Sequence, residues 1–371
     1  MKGENFNIPG NKLRVLVAPL DWGLGHATRC IPIIFHLLQQ NCEVILAAEG
    51  AGRTLLQKEF PNLIFVDLKG YRIKYSRTKF WLPLKLMMQF PKLIYSIYAE
   101  NRWLKKTIFD FNIDAVISDN RLGLSHTKIP CVYITHQLQI KTGSRLTESI
   151  ANTIHYYFIN KFTSCWVPDA EGEINLAGEL SHPAILPKVP VKYLGLLSRF
   201  EKINTAIKYD LCFLLSGPEP QRSIFEKNIL ADLKHFKGTV ILLRGLPGNL
   251  PAPVSNSTTL QIHNHLTGAE LNLVLQQSKI IICRSGYTTV MDVIKLQKKA
   301  ILVPTPGQTE QEYLCGYLQQ QQLFLGIQQK GFSIAEALKK EAAFAFKKME
   351  VQQYKYEAVI DNFVHQILNK N

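Results

Sequence analysis

Residues 284–313 constrain the fold more than any other stretch of this chain. They follow the apolar run Ile280–Cys283 and contain, in order, a short polar turn that opens a helix, a buried strand, and a Pro/Gly loop that opens a second helix. An apolar run of this kind is typical of a central parallel strand, so the turn at Arg284–Gly286 would lie at its carboxyl end. Two helix N-termini then point into one crevice, where unpaired N–H groups and helix dipoles favour an anion such as a nucleotide diphosphate.

Several side chains of this stretch are candidates for binding such a ligand. Asp292 lies one to two turns into the first helix and could reach a ribose diol. The other candidates lie at the two helix starts: Arg284, Ser285, Gly286, Thr288, Gln308 and Gln311. An ordinary βαβ unit with polar helix caps is the alternative interpretation.

The segment resembles the donor-site signature of GT-B glycosyltransferases of family 28, the family of the peptidoglycan N-acetylglucosaminyltransferase. By that resemblance Arg284–Gly286 is the turn before the donor helix, Asp292 replaces the glutamate that holds the ribose, and Gln311 matches the first of two paired glutamines. Glu312 replaces the second glutamine, and Gly307–Glu310 departs from the usual basic loop. The resemblance implies an α/β GT-B fold, in which two doubly wound Rossmann-like domains face each other across a cleft.

The length of 371 residues suggests about two domains. Apolar runs and helical patterns alternate as in a parallel sheet. The predicted strands of the first half are 13–18, 43–47, 63–66, 114–118, 131–135 and 165–168, the last of which would close the first sheet. Those of the second half are 211–215, 239–243, 260–263, 280–283 and 301–303. We expect an acceptor domain at 1–197 and a nucleotide-sugar donor domain at 198–371, with a linker near 195–208. The family resemblance implies that the last helix, about 354–368, packs back on the first domain.

A glycine loop at Asp21–Arg29 follows the first predicted strand. Gly23 and Gly25 permit close backbone approach to a ligand, here an acceptor. Thr28 stands where a dinucleotide fingerprint has its third glycine, which argues against NAD binding. His26 is a candidate base for an acceptor hydroxyl, with a capping or packing role as the alternative. The loop resembles the Gly-rich acceptor-side loop of family 28, which also carries a histidine after its glycines.

Other polar residues follow predicted strands and could border the cleft. Asp119 could orient an acceptor or act as an alternative base, or else it caps a helix. Asn120 and His136 are candidate acceptor-binding residues, and His136 could equally be structural.

Ser216, Gly217 and Arg222 occupy the place of the family's phosphate loop and could contact the diphosphate. A tight proline-started helix is the alternative there, since Pro218 and Pro220 donate no backbone hydrogen bond.

Residues 69–106 are strongly basic and aromatic. They contain ten Lys or Arg, one acid (Glu100) and eight aromatic residues, and supply +9 of a net charge of +14. Such a segment could lie in a bilayer interface, with Lys79, Lys85 and Lys92 among the bases that meet anionic headgroups. A core helix with a solvated basic face is the alternative. No recognised nucleic-acid motif accompanies the charge, so an anionic membrane surface is a candidate partner and nucleic acid is not expected.

These observations predict a glycosyltransferase that moves a sugar from a nucleotide-sugar, expected to be a UDP-sugar, to an acceptor hydroxyl that could be lipid-linked. No D-x-D sequence occurs, so we expect no metal and no cofactor, and the leaving-group charge would fall to helix N-termini and Arg284. Family analogy implies a single inverting displacement. A nucleotide-sugar 2-epimerase of the same fold and a non-catalytic nucleotide-sugar or membrane binding protein remain alternatives.

Several features favour a cytoplasmic location, with attachment to the inner face of the cytoplasmic membrane as a further expectation. The seven cysteines are scattered, no signal peptide is evident, and no stretch of about 20 apolar residues occurs.

Overall fold

The computed structural model describes residues 12–71, 82–246, 251, 253, 257–349 and 356–369, and for 82–90 it describes the backbone only. The first half of this described chain contains a seven-stranded parallel sheet in the order β3-β2-β1-β4-β5-β6-β7. Its strands are β1 (Arg14–Pro19), β2 (Glu43–Ala47), β3 (Ile64–Val66), β4 (Ala115–Asp119), β5 (Cys131–Ile134), β6 (Ser164–Val167) and β7 (Val191–Tyr193). The helices between them are α1 (Leu24–Gln39), α2 (Gly50–Glu59), α3 (Leu82–Phe111) and α4 (Arg145–Ile159), with a 3-10 turn at Gly178–Leu180.

The second half builds a six-stranded parallel sheet in the order β10-β9-β8-β11-β12-β13. Its strands are β8 (Tyr209–Leu214), β9 (Val240–Leu243), β10 (Leu260–His263), β11 (Ser278–Cys283), β12 (Ala300–Leu302) and β13 (Leu325–Gly326). Its helices are α5 (Gln221–Asp232), α6 (Gly268–Gln276), α7 (Tyr287–Lys295), α8 (Thr309–Gln320) and α9 (Ile334–Ala343), with a 3-10 turn at Leu233–His235. The last helix, α10 (Tyr356–Leu368), ends the described chain.

The predicted α/β class is confirmed, and the predicted strands lie within about two residues of those observed. One expectation is wrong, because β6 does not close the first sheet. β7 pairs with it in parallel, Cys165 opposite Val191. The three-residue β7 and the two-residue β13 are too short for hydrophobic alternation to reveal them.

Central strands bury both faces, which explains their continuous apolar sequences. Every residue of β4 and of β5 is buried. One buried apolar cluster covers a face of each sheet and continues through Leu194–Phe200 at the start of the segment that joins β7 to β8. Separate clusters cover the opposite faces of the two sheets. Within the residues described, no helix combines the length and apolar character needed to span a membrane.

Helix α10 contacts the first half of the chain. His36 Nε2 of α1 lies 2.7 Å from Asp361 Oδ1. The ring of Trp166 on β6 meets Phe363 edge-on, with centroids 5.3 Å apart. The end of the chain therefore packs on α1 and β6.

Candidate active site

The starts of α1 and α7 meet across the cleft between the two sheets. Thr288 Oγ1 donates a hydrogen bond to the carbonyl of Gly25 at 3.2 Å. A Cβ at Gly25 would lie 2.9 Å from Thr288 Oγ1, so a larger residue would require the Thr288 side chain to move and would break this hydrogen bond. Gly23 has a φ of 82°, in the left-handed region that glycine adopts without strain. The predicted glycine loop thus sits against the predicted donor helix.

His26 lies in the first turn of α1, and its Nδ1 is 3.2 Å from Asp119 Oδ1. Asp119 ends β4, where the register places it opposite Pro19 of β1. The loop after β1 leads into α1, so the fold brings the two predicted catalytic residues together at the carboxyl edge of the sheet. The side chain of His26 is 15% exposed. Among the described residues, no group forms a hydrogen bond with its Nε2.

Arg29 is a third member of this cluster that sequence reasoning missed. It lies one helical turn after His26 and is 2% exposed. Its Nε donates to Asp119 Oδ2 at 2.6 Å, and its Nη2 donates to Asp119 Oδ1. The only sequence signal was a basic residue placed among the apolar positions of α1, at the spacing that shares a face with His26.

This cluster determines the charge states of its members. Burial would raise the pKa of Asp119, but the charge of Arg29 and the hydrogen bonds from Arg29 and His26 hold it well below its usual value. Burial lowers the pKa of His26 and the charge of Arg29 lowers it further, while the Asp119 carboxylate only partly opposes them. His26 is therefore a neutral imidazole at neutral pH. Asp119 is ionised, and both of its oxygens are bonded to Arg29, so it is a poor candidate for the alternative base.

His136 reaches across the cleft to the second half of the chain. Its Nε2 lies 2.7 Å from Glu310 Oε1 in the first turn of α8, and its Nδ1 lies 3.2 Å from Arg29 Nη1. Its ring stacks on Tyr287 with centroids 4.1 Å apart. Burial would raise the pKa of Glu310, but its interaction with His136, which bonds to it, and the charge of Arg29 hold that pKa below its usual value. Glu310, like Arg29, was not predicted as a site residue.

The predicted donor side consists of two helix starts. Neither Gly286 before α7 nor Gln308 before α8 caps its helix with a side chain, so the first N–H groups of each helix lack a side-chain acceptor at the cap. Ser285 Oγ donates to the carbonyl of Gln311 at 2.8 Å, which ties the two starts together. Gln311 Oε1 accepts from the backbone of Thr305 at 2.9 Å.

Thr305 is a candidate ligand-binding residue that the sequence did not reveal. Its hydroxyl is buried and has no hydrogen-bond partner among the described residues. It lies beside Gly217, which has a φ of 99° and whose Cβ, if present, would be 3.4 Å from Thr305 Oγ1. Ser216 is half-buried in the same loop. A ligand oxygen in this corner would satisfy the Thr305 hydroxyl.

The two arginines predicted to bind the diphosphate have hydrogen-bond partners within the protein, and their contact with a ligand stays a prediction. Arg284 is 1% exposed and donates to the carbonyls of Val303, Pro304 and Gln221 at 3.1–3.3 Å. Arg222 is 5% exposed and bonds Glu226 Oε2 at 2.6 Å and Glu219. Arg222 would have to leave buried acceptors unpaired to reach a phosphate, which costs about 1–3 kcal/mol per group. Arg284 Nε, in contrast, is buried and has no hydrogen-bond partner among the described residues.

Asp292 lies farther along α7, against the segment that joins the two sheets. Its Oδ1 accepts from Ser198 Oγ at 2.6 Å. Burial raises the pKa of Asp292 to about 7. Its predicted contact with a ribose stays a prediction, and the structure adds that the carboxyl already has one partner in the linker.

The matched sequence family agrees with the position of this site. Residues 255–369, which contain α6 to α10 and the two helix starts, match the model of the glycosyltransferase family 28 C-terminal domain. This part of the chain is similar to the C-terminal domain of family 28 glycosyltransferases. The resemblance seen in residues 284–313 is thereby confirmed. The comparison with curated protein sequences gave no match.

Solved structures share the fold of the whole chain and of this family 28 domain, although their sequences are only distantly similar. A glycotransferase of kitacinnamycin is 11% identical with a TM-score of 0.65, covering 96% of this chain and 100% of its own. MurG of Acinetobacter baumannii is 14% identical with a TM-score of 0.55, covering 95% and 99%. The spinosyn rhamnosyltransferase SpnG, complexed with thymidine diphosphate, is 14% identical with a TM-score of 0.59, covering 96% of each chain. The fold is that of GT-B glycosyltransferases, and with the family 28 domain it supports glycosyl transfer.

Proposed function

We propose that this protein transfers a sugar from a UDP-sugar to an acceptor hydroxyl. The proposal rests on two facing walls of the cleft. On one wall the neutral His26 pairs with the buried Asp119 carboxylate, with 3.2 Å between His26 Nδ1 and Asp119 Oδ1, and the uncapped start of α7 forms the other wall. The contact between Gly25 and Thr288 fixes how close these walls are. A base and an anion site in one cleft suit a displacement with an anionic leaving group.

In this mechanism His26 is the general base. Its Nδ1–H is donated to Asp119, so Nε2 can accept the proton of the acceptor hydroxyl. The acceptor oxygen forms a bond to the anomeric carbon as the bond from that carbon to the diphosphate oxygen breaks. The nucleoside diphosphate leaves with the electron pair, and the single displacement inverts the anomeric centre.

The leaving group would be stabilised on the donor side of the cleft. The first N–H groups of α7 and α8 and the Thr305 hydroxyl are donors suited to a diphosphate. Of Arg284, which was assigned to this task on sequence grounds, only Nε lacks a hydrogen-bond partner among the described residues, because Nη1 and Nη2 are bonded to three carbonyls. The thymidine diphosphate named for SpnG supports a nucleoside diphosphate as the ligand class.

Membrane attachment and a lipid-linked acceptor form a second part of the proposal. Lys79 and the neighbouring Tyr75, Phe80 and Trp81 lie outside the described residues, as does the side chain of Lys85. Nearby, apolar side chains on α3 and α4 face solvent, among them Tyr95 at 72% and Leu146 at 73% exposure, together with Tyr98, Ile150 and Tyr157. Lys161 Nζ lies 4.2 Å from the Tyr157 ring and 5.9 Å from the Tyr98 ring, so the two helices present one apolar face with a cation. Such a face suits the interface of an anionic bilayer.

Product analysis tests the activity. The protein is incubated with a panel of UDP-sugars, first alone and then with lipid extract, and the products are identified by mass spectrometry and NMR. With lipid extract, we expect a glycosylated acceptor whose anomeric configuration is inverted relative to the donor. With donor alone, we expect no change of the sugar. A change of the sugar in donor alone would instead identify a 2-epimerase, and binding without turnover would identify a non-catalytic binding protein.

A further inference from the structure

Asn120 directly follows Asp119 and has an unusual backbone. Its φ is 56°, in the left-handed region that Asn, Asp and Gly adopt most readily. Its N–H donates to the carbonyl of Ile134 at 3.0 Å, which holds the end of β4 against β5. The side chain is therefore fixed at the cleft wall, beside the cluster formed by His26, Arg29 and Asp119.

The partners of the Asn120 amide assign its orientation. Nδ2 lies 3.2 Å from Tyr133 Oη and 2.9 Å from Thr135 Oγ1, and Oδ1 lies 3.1 Å from Arg29 Nη2. Tyr133 Oη in turn lies 3.2 Å from His155 Nε2 and can donate to it. Burial lowers the pKa of His155 to about 4, so its ring is neutral and Nε2 can accept in the tautomer that carries its hydrogen on Nδ1. The orientation of Asn120 does not depend on that tautomer, because Nδ2 also lies 3.3 Å from the Ile134 carbonyl, which can only accept. Asn120 Oδ1 is thus an acceptor aimed at Arg29.

The hydrogens of Arg29 can then be counted. Nε–H and one Nη2 hydrogen go to the Asp119 carboxylate, and an Nη1 hydrogen goes to His136 Nδ1. Two hydrogens remain, one on Nη1 and one on Nη2, and the Nη2 hydrogen has two acceptors in reach. These are Asn120 Oδ1 at 3.1 Å and His26 Nδ1 at 2.9 Å. Arginine has no acceptor and does not lose a proton, so this choice determines which nitrogen of His26 carries hydrogen.

The two choices have opposite chemical consequences. If the hydrogen goes to His26 Nδ1, the proton of the neutral ring is on Nε2, which cannot then act as a base. If it goes to Asn120, His26 Nδ1–H donates to Asp119 and Nε2 presents a lone pair to the cleft. We propose that Asn120 is a positioning residue that sets the base-competent tautomer of His26 by accepting the Arg29 hydrogen. The catalytic meaning of this tautomer rests on the proposed function, but the tautomer itself does not.

Nitrogen NMR of the ¹⁵N-histidine-labelled protein tests the proposal without any substrate. At pH 8 the wild type should show a protonated, pyrrole-type Nδ1 and an unprotonated, pyridine-type Nε2 for His26, assigned by the signals lost in His26→Gln. Asn120→Gly keeps the left-handed backbone and removes the acceptor. In this variant His26 Nδ1 should become pyridine-type and Nε2 should become pyrrole-type. Asn120→Asp keeps an acceptor and should resemble the wild type. His136 keeps its bond from Arg29 in all three proteins, so its unchanged signals are the internal reference.

Asn112→Gly is the matched control, because Asn112 has a φ of 48° immediately after α3 and does not belong to the cluster. It should leave His26 unchanged. With an active donor and acceptor, Asn120→Gly should lower kcat by about 10- to 100-fold with little change in KM for the donor, and Asn120→Asp should restore most of it.

A wild-type His26 protonated on Nε2, or an unchanged His26 tautomer in Asn120→Gly, overturns the proposal. If Asn120→Gly does not fold, the wild-type spectrum still tests the proposal, because it shows which nitrogen of His26 carries the hydrogen. If no donor supports turnover, the proposed function fails and the spectra still decide the role of Asn120.

Discussion

His136 Nε2 and Glu310 Oε1 form a 2.7 Å hydrogen bond that joins the two halves of the chain inside the cleft. Its direction follows from Arg29, which donates to His136 Nδ1, so the hydrogen between His136 and Glu310 is carried by Nε2. Glu310 is therefore held as an ionised carboxylate on the first turn of α8. Through Arg29 and His136, the bond links the cluster that contains His26 and Asp119 to the start of α8.

Replacing Glu310 with Gln should expose the pH dependence of this bond. A carboxyl whose pKa is lowered on folding stabilises the protein above its unfolded pKa of about 4.3 and ceases to do so as pH falls through the folded value. The wild type should therefore be more stable than Glu310→Gln near pH 7, and the gap should close below about pH 4. Urea unfolding from pH 7 to 3 measures this. A gap that stays constant over that range would show that the charge of Glu310 contributes nothing.

Removing the imidazole of His26 should abolish base catalysis. We expect His26→Ala to lower kcat by about 10²- to 10⁴-fold while nucleotide affinity stays near wild type. Steady-state kinetics and calorimetric titration with UDP measure the two quantities. His235→Ala, at an exposed histidine after α5, is the control and should change neither. Wild-type turnover by His26→Ala would remove this residue from the mechanism.

Asp119→Asn should be strongly destabilising. Asp119 is fully buried against Arg29, and removing one partner of a buried ion pair leaves an uncompensated charge, at a cost of about 3–5 kcal/mol. Replacing both residues, as in Arg29→Met with Asp119→Asn, should recover part of this loss. Urea unfolding of the wild type, the two single variants and the double variant completes the cycle. Additive losses would mean that the two groups do not interact energetically.

Asp292 is expected to lower the stability of the folded protein at neutral and higher pH while contributing to nucleotide binding. Its pKa of about 7 lies above the unfolded value of about 3.9, so the folded state binds the extra proton and stability falls as pH rises between these values. Asp292→Asn should remove that decline and be more stable than the wild type at pH 8.

If Asp292 also accepts hydrogen bonds from the ribose, Asp292→Ala should weaken UDP binding by about 10- to 150-fold and barely affect a 2′,3′-dideoxy analogue. Calorimetry with both ligands and both proteins tests this. Independent, additive losses would place the ribose elsewhere. Ser198→Ala, which removes only the linker partner, is the control for stability.

Vesicle sedimentation tests the apolar face of α3 and α4. The protein should bind anionic liposomes, dissociate from them as the salt concentration rises, and not bind neutral liposomes. Leu146→Ser with Ile150→Ser, or Lys79, Lys85 and Lys92 changed to Glu, should reduce binding without unfolding the protein. Ile224→Ser is the matched control, since Ile224 is an exposed apolar residue on α5 of the second half. Equal binding to both kinds of vesicle would argue against this surface.

The sequence predicted the sheets and the location of the cleft because both depend on local patterns. Buried parallel strands are continuous apolar runs, and the loops at their carboxyl ends carry the polar residues. His26 and Asp119 were both found by this rule, on separate loops. Their pairing through β1 and β4 follows from the strand order, which the sequence does not display.

What the sequence could not predict depends on contacts between distant residues. Arg29 and Glu310 acquire their roles from partners about 90 to 174 positions away. Arg284 stands at the predicted turn, but nothing in its neighbours indicates that its side chain turns inward to three carbonyls. Side-chain direction of this kind is set by packing, and residue type alone leaves it open.

The contact of α10 with α1 and β6 has a consequence for engineered chimeras. Exchanging the second half of this protein for that of a relative, in order to change the sugar, would ordinarily mean replacing everything after the linker. That cut would also remove Asp361 and Phe363, and leave His36 and Trp166 facing a foreign helix. A graft that ends at residue 349 and keeps the native α10 would preserve this contact. Such a chimera therefore needs two crossover points, one in the linker and one just before α10.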